Sequence, residues 1–572
     1  MLMNKKTFIS SKYRYMLLGG SITAVLFSLL YMTDMLIAGI LLGEEAVAAV
    51  NLVLPFYSLT SFFSMVISLG VPILYSGQVG AFQREEADRT FGTGLALSLI
   101  TGGLLMIVLS LFGDAWLAYY KPDAGVLRCA REYLSWMKFV ALVMPVEELL
   151  FGMVYADGDE TISTAGNLLS SVSNVVLSVI LCRSMGIRGL ALATFVSLLL
   201  SLGLQFLHFL RKGNTMRLCL AFSRKTVGDI VRFSIVDSCS YLFLFVFTAV
   251  MNRFAVRMFG PELLILVSVI TLVKETQLVF DGIGEAITPI LSVYLGEENY
   301  PGVREVWKLA RRTANIEALI VTGLLFAFAP WVIGLLNIQT PGVSELACQG
   351  LRILSVGLIF TCHLYLDSSF DILVDKFSLG VLVSALRDVL LPLPLAMLGG
   401  LAFGVPGMFA GLMLSQPLAY LLSYLVVRIR HGKENYPLFL AEKEKARNMK
   451  LYEFPVTPEL VVSVRDQLAE MLRQNGYPAR TVNKAALLFE ELFMDIRDHN
   501  GGKTVLAECA VEMGEHVRMI IKDDGVLFDQ TDEDRAVDSL RGYVMSSIIT
   551  SFAQKRVHFL TLSFNRSAFE IE

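Results

Sequence analysis

The sequence predicts an all-α polytopic membrane domain of about twelve transmembrane helices in two six-helix lobes, followed by a small soluble α+β sandwich domain. Two observations carry this prediction. Of the 572 residues, 55% are hydrophobic and only 17% are charged, whereas soluble domains carry about 25% charged residues. Apolar runs long enough to cross a bilayer as helices, which takes ~20 residues each, follow one another as far as Arg430 and then stop.

The membrane spans are marked by a hydropathy window of ~19 residues. Short loops rich in Lys and Arg fall on one side of a twelve-span arrangement, whereas loops 43–46, 337–346 and 402–404 on the other side contain neither residue. Because basic loops stay inside, we expect a multi-pass protein of the cytoplasmic (inner) membrane with both termini in the cytoplasm. The predicted spans are 16–42, 47–74, 91–112, 132–154, 162–182, 188–210, 229–257, 263–294, 312–336, 350–373, 378–401 and 405–428.

The membrane domain repeats itself. GIRGLALA at Gly186 echoes GVPGMFAG at Gly404, and Pro-Ile-Leu at Pro72 recurs at Pro289. The two offsets, 404 − 186 = 218 and 289 − 72 = 217, are nearly equal. An even number of spans per repeat predicts two parallel lobes with a substrate site near the midplane between them. The predicted domains are an N-lobe at 1–212, a C-lobe at 213–431, a charged linker at 432–450 and the soluble domain at 451–572.

One acid, Asp34, interrupts the first span. A carboxylate at membrane depth costs roughly 2.5–3.5 kcal/mol on insertion scales, so it persists where it faces a water-filled cavity or a partner, and usually where it handles an ion. The alternative is a helix-end acid near the membrane interface, since Gly39 and Gly43 follow soon after. The 7 cysteines include no CxxC pair and predict no metal site. The net charge of −4 does not indicate a nucleic-acid partner.

Two charged stripes stand at helical spacing in the second lobe. Exposure of such stripes to lipid would be very costly, so we expect both to line the central cavity and to bind cations. Internal pairing, for example of Lys274 with Asp281, is the alternative. The stripes are Lys274, Asp281 and Glu285 in the eighth span, and His363, Asp367 and Asp371 in the tenth.

Several stretches resemble the multidrug and toxic compound extrusion family, the MATE transporters. They run in family order over roughly residues 10–430 and include SLLYMTDMLIAGILLGEEAVAAVNLVLP, SGQVGAFQREEADRTFGTGL, ADGDETISTAGNLLSSVSNVVLS, GIRGLALAT and SALRDVLLPLPLAMLGGLAFGVPG. The resemblance implies a secondary antiporter and not an enzyme. It would export amphipathic, often cationic organic compounds across the lipid bilayer, coupled to Na⁺ or H⁺ entry.

The resemblance also implies a cation site in the first lobe. Asp34, Asn174 and Thr194 match the family pattern, and Ser178 stands where the family has a second Asp. Serine offers oxygen but no charge, which weakens a Na⁺ site and leaves proton coupling through Asp34. For the three uncharged residues the alternative is ordinary interhelical hydrogen bonding, worth ~0.6 kcal/mol each.

The soluble domain resembles the histidine-kinase-type ATPase fold, closest to the short anti-sigma kinase form. The motifs LLFEELFMDIRDHN, IIKDDGVLFD and SLRGYVMSS carry the resemblance. Asp495 stands where an Mg²⁺-holding Asn is expected, and its charge would repel phosphates, so we expect weak Mg-ATP binding or none. The candidate nucleotide residues are Glu491, Asp495, His499, Asp523, Gly525 and Gly542. The predicted elements are helices at 458–475, 480–499 and 539–553, and strands at 504–513, 517–523 and 557–571.

Two other functions fit parts of this pattern. A flippase for lipid-linked intermediates would have a strongly cationic cavity for pyrophosphate, whereas the second-lobe stripes are largely acidic. A membrane-anchored nucleotide sensor would need an intact nucleotide motif, which Asp495 interrupts. We expect the tail to be regulatory, in contact with the cytoplasmic face of the transporter or with a cytosolic regulator.

Overall fold

The computed structural model describes residues 7–571 of the chain, except 82, 212–213, 218, 220–222, 341, 441–447, 529–547, 550 and 560–561. The chain divides into two compact units. We name them for their main features: the cavity unit comprises Val25–Val279 and Glu317–Ser423, and the tail unit comprises Met1–Ala24, Phe280–Ile316 and Tyr424–Glu572.

Fourteen helices precede the soluble domain in the described part of the chain. They follow the apolar runs, and most connections between them are short. They are α1 Phe8–Leu42, α2 Glu44–Gly80, α3 Arg84–Tyr120, α4 Ala124–Ala156, α5 Glu160–Met185, α6 Ile187–Phe206, α7 Arg224–Phe259, α8 Ile265–Thr276, α9 Asp281–Gly296, α10 Tyr300–Ala327, α11 Ala329–Leu335, α12 Val343–Leu373, α13 Phe377–Ala385 and α14 Pro392–His431.

Two glycines of the sequence repeat adopt the same unusual backbone conformation. Gly186, between α5 and α6, has φ 63° and ψ −146°, and Gly404, inside α14, has φ 68° and ψ −153°. Side chains disfavour this region of positive φ, which glycine enters freely. Gly404 therefore bends α14 at the boundary between the last two predicted spans. The matched conformations agree with the repeat, and the two-lobe division stays a prediction.

Within the described residues, nine helical stretches are long and apolar enough to cross a membrane. The number rises to ten if α10 and α11, which meet at a 70° bend, form one broken span. The predicted count of twelve is therefore not confirmed. The stretch 377–431 counts as one of the nine although the kink at Gly404 divides it.

The soluble domain is a five-stranded antiparallel sheet with two helices. The strands lie in the order β1-β2-β3-β5-β4, and an apolar core joins the helices to one face of the sheet. This agrees with the predicted α+β class, and the first two helices lie where they were expected. The elements are β1 Met449–Pro455, α15 Pro458–Gln474, α16 Ala479–His499, β2 Leu506–Met513, β3 Val517–Asp523, β4 Ser551–Phe559 and β5 Leu562–Ile571.

Two expectations for the soluble domain were wrong. Strand β1, Met449–Pro455, was not predicted, and its first two residues lie in the predicted linker. Residues 551–553 belong to β4 and not to a helix, because they pair with β5 in the antiparallel ladder. The rest of the predicted helix, 539–547, lies outside the described residues, and so does the candidate nucleotide residue Gly542.

Candidate substrate and ion site

A cavity of about 380 Å³ lies within the cavity unit. Helices α1, α2, α4, α5, α6 and α8 all contribute to its wall. None of its described lining residues is Lys, Arg or His. Aromatic and methionine side chains supply most of the apolar wall, including Tyr57, Phe151, Met65, Met137 and Met144. The lining carboxylates are Asp34, Glu147, Glu148 and Glu275.

Asp34 is held by hydroxyl groups from two other helices. The Tyr133 hydroxyl of α4 donates a hydrogen bond of 2.5 Å to Asp34 Oδ2. The Thr194 hydroxyl of α6 approaches the same oxygen at 3.5 Å. Asn174 Nδ2 of α5 in turn donates to Thr194 Oγ1 at 3.0 Å. Three of the four residues expected in the first-lobe site are therefore brought together in one chain of hydrogen bonds.

Ser178 does not join this group. Its side chain is fully buried in α5, it is absent from the cavity wall, and its Oγ has no hydrogen-bond partner among the described residues. Tyr133, which sequence reasoning did not select, takes the place nearest to Asp34. A lone tyrosine among apolar residues gives no signal of this role in the sequence.

A second acidic position lies on α4. Glu147 is 7% exposed, and its Oε1 accepts hydrogen bonds from Ser201 Oγ at 2.6 Å and Gln205 Nε2 at 3.1 Å. Glu148 also lines the cavity, and its Oε2 is buried without a hydrogen-bond partner among the described residues. The sequence analysis passed over both residues, although adjacent acids inside a predicted span are themselves a signal of function.

The stripe predicted in the eighth span is broken. Helix α8 ends at Thr276, a 3-10 segment covers Gln277–Phe280, and α9 begins at Asp281. The prediction that Lys274, Asp281 and Glu285 share one helical face was wrong, because a 3-10 turn has three residues and not 3.6. The neighbouring Glu275, which the sequence analysis left out, is the residue that lines the cavity.

Lys274 has a partner that the sequence did not indicate. Its Nζ lies 3.6 Å from Asp388 Oδ1. Asp388 belongs to a short π-helical segment, Leu386–Leu390, between α13 and α14. Asp388 also pairs with Arg387 at 2.7 Å. Arg387 and Asp388 are buried and Lys274 is half-buried within the cavity unit, so Asp388 pairs with two basic side chains inside the protein.

The remaining acids of the second lobe lie apart from this cavity. Asp367 and Asp371 on α12 are 5% and 4% exposed, and His363 packs near the ring of Tyr420. None of them lines the cavity of the cavity unit. Asp281 and Glu285 belong to the tail unit, where Glu285 is exposed. Their expected role as cation ligands stays a prediction.

Several of the candidate nucleotide residues contact one another or neighbouring side chains of the soluble domain. Asp523 Oδ1 accepts hydrogen bonds from the Gly525 amide and from Asn565 Nδ2, both at 2.9 Å. The His499 ring stacks on Phe528 with 3.8 Å between ring centroids, and its Nδ1 lies 3.2 Å from Asp495 Oδ1.

Glu491 lies half-buried on the same helix, α16. Within the described part of the chain, no group of three or more His, Cys, Asp and Glu side chains is arranged to hold a metal ion.

Comparison with known proteins shows what this chain is similar to. A model of the MatE family matches residues 21–180. The chain is 21% identical over 421 residues to the multidrug export protein MepA of Staphylococcus saprophyticus, covering 71% of this chain and 90% of that protein. These matches show that the chain is similar to multidrug transporters of the MATE type.

Two solved structures share the fold. One is the inward-facing conformation of a multidrug resistance MATE family transporter, with a TM-score of 0.65 and 21% identity, covering 72% of this chain and 98% of that one. The other is a transporter of the wider MOP superfamily from Pyrococcus furiosus, whose description notes a binding pocket of reversed polarity. It has a TM-score of 0.59 and 20% identity, and the match covers 75% of this chain and 97% of that one.

Proposed function

We propose that this protein exports amphipathic organic cations and that the cavity of the cavity unit is its substrate site. The observation that carries the proposal is the charge of the wall: four carboxylates and no basic side chain among the described lining residues. Aromatic rings attract organic cations through their π faces. Methionine side chains adapt to differently shaped ligands, which suits the export of several drugs.

The same observation argues against a flippase for lipid-linked intermediates. A pyrophosphate group would need Lys or Arg donors in the cavity, because phosphate is recognised by such cations. Four carboxylates would instead repel it. The nucleotide-sensor alternative is disfavoured by the tail, where Asp523 and His499 already have partners inside the protein.

We propose that the coupling ion is a proton held at Asp34. Hard metal cations are bound by several oxygen ligands. Here Asn174 turns its nitrogen toward Thr194, and Ser178 lies outside the cavity wall. A Na⁺ ion would therefore find few oxygens besides those of Asp34. A proton needs only the one carboxylate, whose charged form the Tyr133 hydroxyl stabilises.

The transport cycle follows from competition at these carboxylates. A cationic substrate favours a charged Asp34, whereas a proton neutralises that charge and weakens the attraction for the substrate. If the cavity opens alternately to the two sides of the membrane, protons entering on one side release the cation there. We place the protein in the cytoplasmic membrane with both termini inside, following the distribution of Lys and Arg.

Vesicle transport measurements test this function. The purified protein is reconstituted and given an imposed proton or Na⁺ gradient, with a cationic dye and a neutral dye of similar size as substrates. We expect proton-driven accumulation of the cationic dye and little movement of the neutral one. Equal transport of both dyes would contradict the role of the acidic wall. Accumulation driven by Na⁺ alone would contradict proton coupling while leaving the substrate class intact.

A further inference from the structure

The sheet of the soluble domain has two faces with different partners. Because side chains alternate along a strand, Phe454, Cys509 and Ile521 point into the core shared with α15 and α16. Their neighbours Glu453, Glu508 and Lys522 belong to the opposite face. Two of these charged residues, Glu508 and Lys522, are buried, so another part of the protein covers this second face.

Four charged residues form a row across this second face. Glu453 pairs with Glu508 in the register of β1 and β2, Glu508 with Lys522 across β2 and β3, and Lys522 with Arg566 across β3 and β5. We call this row the charge ladder. It runs from two acids at one end to two bases at the other. Neighbouring strands are about 4.8 Å apart, so the ladder extends over roughly 14 Å.

The centre of the charge ladder is hidden from solvent. Glu508 and Lys522 are 0% and 1% exposed, and their side chains contact each other at 3.1 Å. Burial raises the pKa of Glu508, and the ammonium group of Lys522 opposes that rise. Charged groups are almost never fully buried without partners. Both partners that complete the ladder come from the membrane helices of the tail unit.

The acidic end of the ladder caps the start of α1. Glu453 Oε1 accepts a hydrogen bond of 2.8 Å from the Ile9 amide, in the first turn of a helix that begins at Phe8. Amides in the first turn have no partner inside their own helix, so the Glu453 side chain satisfies one of them. The Phe8 ring packs edge-on against Phe564 of β5, with ring centroids 5.9 Å apart.

The basic end of the ladder meets the end of α9. Glu297, the residue directly after α9, forms an ion pair with Lys522 Nζ at 2.6 Å through Oε2 and accepts a hydrogen bond from Arg566 Nε at 2.6 Å through Oε1. The Tyr294 hydroxyl donates a short hydrogen bond to Glu508, and Lys522 Nζ lies 3.7 Å from the centre of the Tyr294 ring. Cations favour the C-terminal end of a helix. The basic end of the ladder thus matches the dipole of α9.

We propose that the charge ladder is a docking surface that holds the ends of α1 and α9 at a fixed separation, so that the tail restrains transport without needing nucleotide. A bound domain biases a transporter by favouring one of its conformations. Helix α1 also carries Asp34, so movement of α1 during the cycle has to break the contacts at Glu453 or carry the tail along. Release requires separation of a buried ion pair, which is strongly unfavourable.

Hydrogen exchange at the Ile9 amide tests whether the ladder works as one surface. The variant Glu297→Gln removes the charge that pairs with Lys522 and Arg566 and leaves the sheet residues and the Glu453 contact with Ile9 unchanged in sequence. If docking is cooperative, undocking becomes ~100-fold more populated, since one partner of a buried pair is lost, and Ile9 exchanges faster by a similar factor. The matched control is Glu515→Gln, an exposed acid in the turn between β2 and β3. Unchanged exchange at Ile9 in Glu297→Gln would refute the docking surface.

Cross-linking tests the restraint itself. Cysteines replacing Phe8 and Phe564, in a chain without its 7 native cysteines, are joined by a short thiol-reactive linker. We expect transport to stop on cross-linking and to return when the linker is cleaved, while Glu297→Gln transports severalfold faster than the parent. Transport that is unchanged by the cross-link would refute the restraint. Ile9 exchange needs no substrate, so it is independent of the proposed transport activity.

Discussion

Replacing Asp34 with asparagine removes one charge and almost nothing else from the substrate site. The asparagine oxygen can still accept the hydrogen bonds that Tyr133 and Thr194 now direct to Asp34 Oδ2. A hydrogen bond to a charged group is worth ~1.5–3 kcal/mol and a neutral one ~1 kcal/mol. The expected loss of folding free energy is therefore about 1 kcal/mol, and Asp34→Asn should fold and reach the membrane.

The effect on transport should be much larger. A substrate cation 5 Å from a carboxylate gains about 3 kcal/mol at an effective dielectric constant of 20, or roughly two orders of magnitude in affinity. Glu147, Glu148 and Glu275 keep their charges in the variant, so the affinity for cations falls by at most this factor. Proton exchange at Asp34 stops altogether. We expect measurable dye binding together with the loss of gradient-driven transport.

The assay compares two measurements on the same reconstituted protein. Dye binding is followed by fluorescence polarisation, and dye accumulation is followed under an imposed proton gradient. The control is Asp114→Asn, which removes an exposed acid whose side chain is 74% accessible and pairs with Arg131 at 3.5 Å. Full gradient-driven transport by Asp34→Asn would exclude Asp34 as the coupling residue. Loss of transport in both variants would show that the effect is not specific to the cavity.

Three further predictions concern the other acids. Glu148→Gln should weaken binding of a cationic dye about tenfold or more and leave a neutral dye unaffected, with the exposed Glu345→Gln as control; equal effects on both dyes would contradict a charge role. In calorimetry on the full chain, the parent should bind Mg-ATP weakly or not at all, and Asp495→Asn should bind more tightly if the charge is the obstacle; tight binding by the parent would overturn the degenerate site. Burial raises the pKa of Glu453 to about 7, with Glu508 and Glu305 adding to the shift and the Ile9 amide opposing it. The contribution of Glu453 to docking should therefore be fully present below pH 4.5 and be lost as the pH rises through 7, measured as Ile9 exchange corrected for the intrinsic rate. Glu453→Gln should reduce this dependence and leave the part that comes from Glu508, whose pKa burial also raises.

The sequence predicted the parts of the site that depend on position along one helix or on family order. Asp34, Asn174 and Thr194 meet as expected because each lies at a matched place in its span. Glu147 and Glu148 were also within reach of sequence reasoning, since they are acids inside a predicted span.

Other features could not be predicted from local pattern. The pair of Lys274 and Asp388 joins residues 114 positions apart, and nothing in their spacing indicates that α8 meets the segment before α14. The 3-10 turn after α8 has no sequence signature strong enough to reveal that the helical register is lost. Strand β1 was missed because its seven residues, MKLYEFP, are few, carry one charge on each face and follow directly on a charged linker.

Buried and partly buried carboxylates occur in two settings in this protein. Those of the tail unit have basic partners, whereas those that line the cavity have none among the described lining residues. In the tail unit, Glu508 and Glu297 each have a basic partner within 3.1 Å. These charges are neutralised inside the protein, so they fix a geometry and leave nothing for a ligand to satisfy. In the cavity, the acids are held only by hydroxyl and amide donors where they have partners, and no basic side chain lines the wall in the part of the chain that the structure describes. Under the proposed function, this negative charge is what a proton and a cationic substrate compete for.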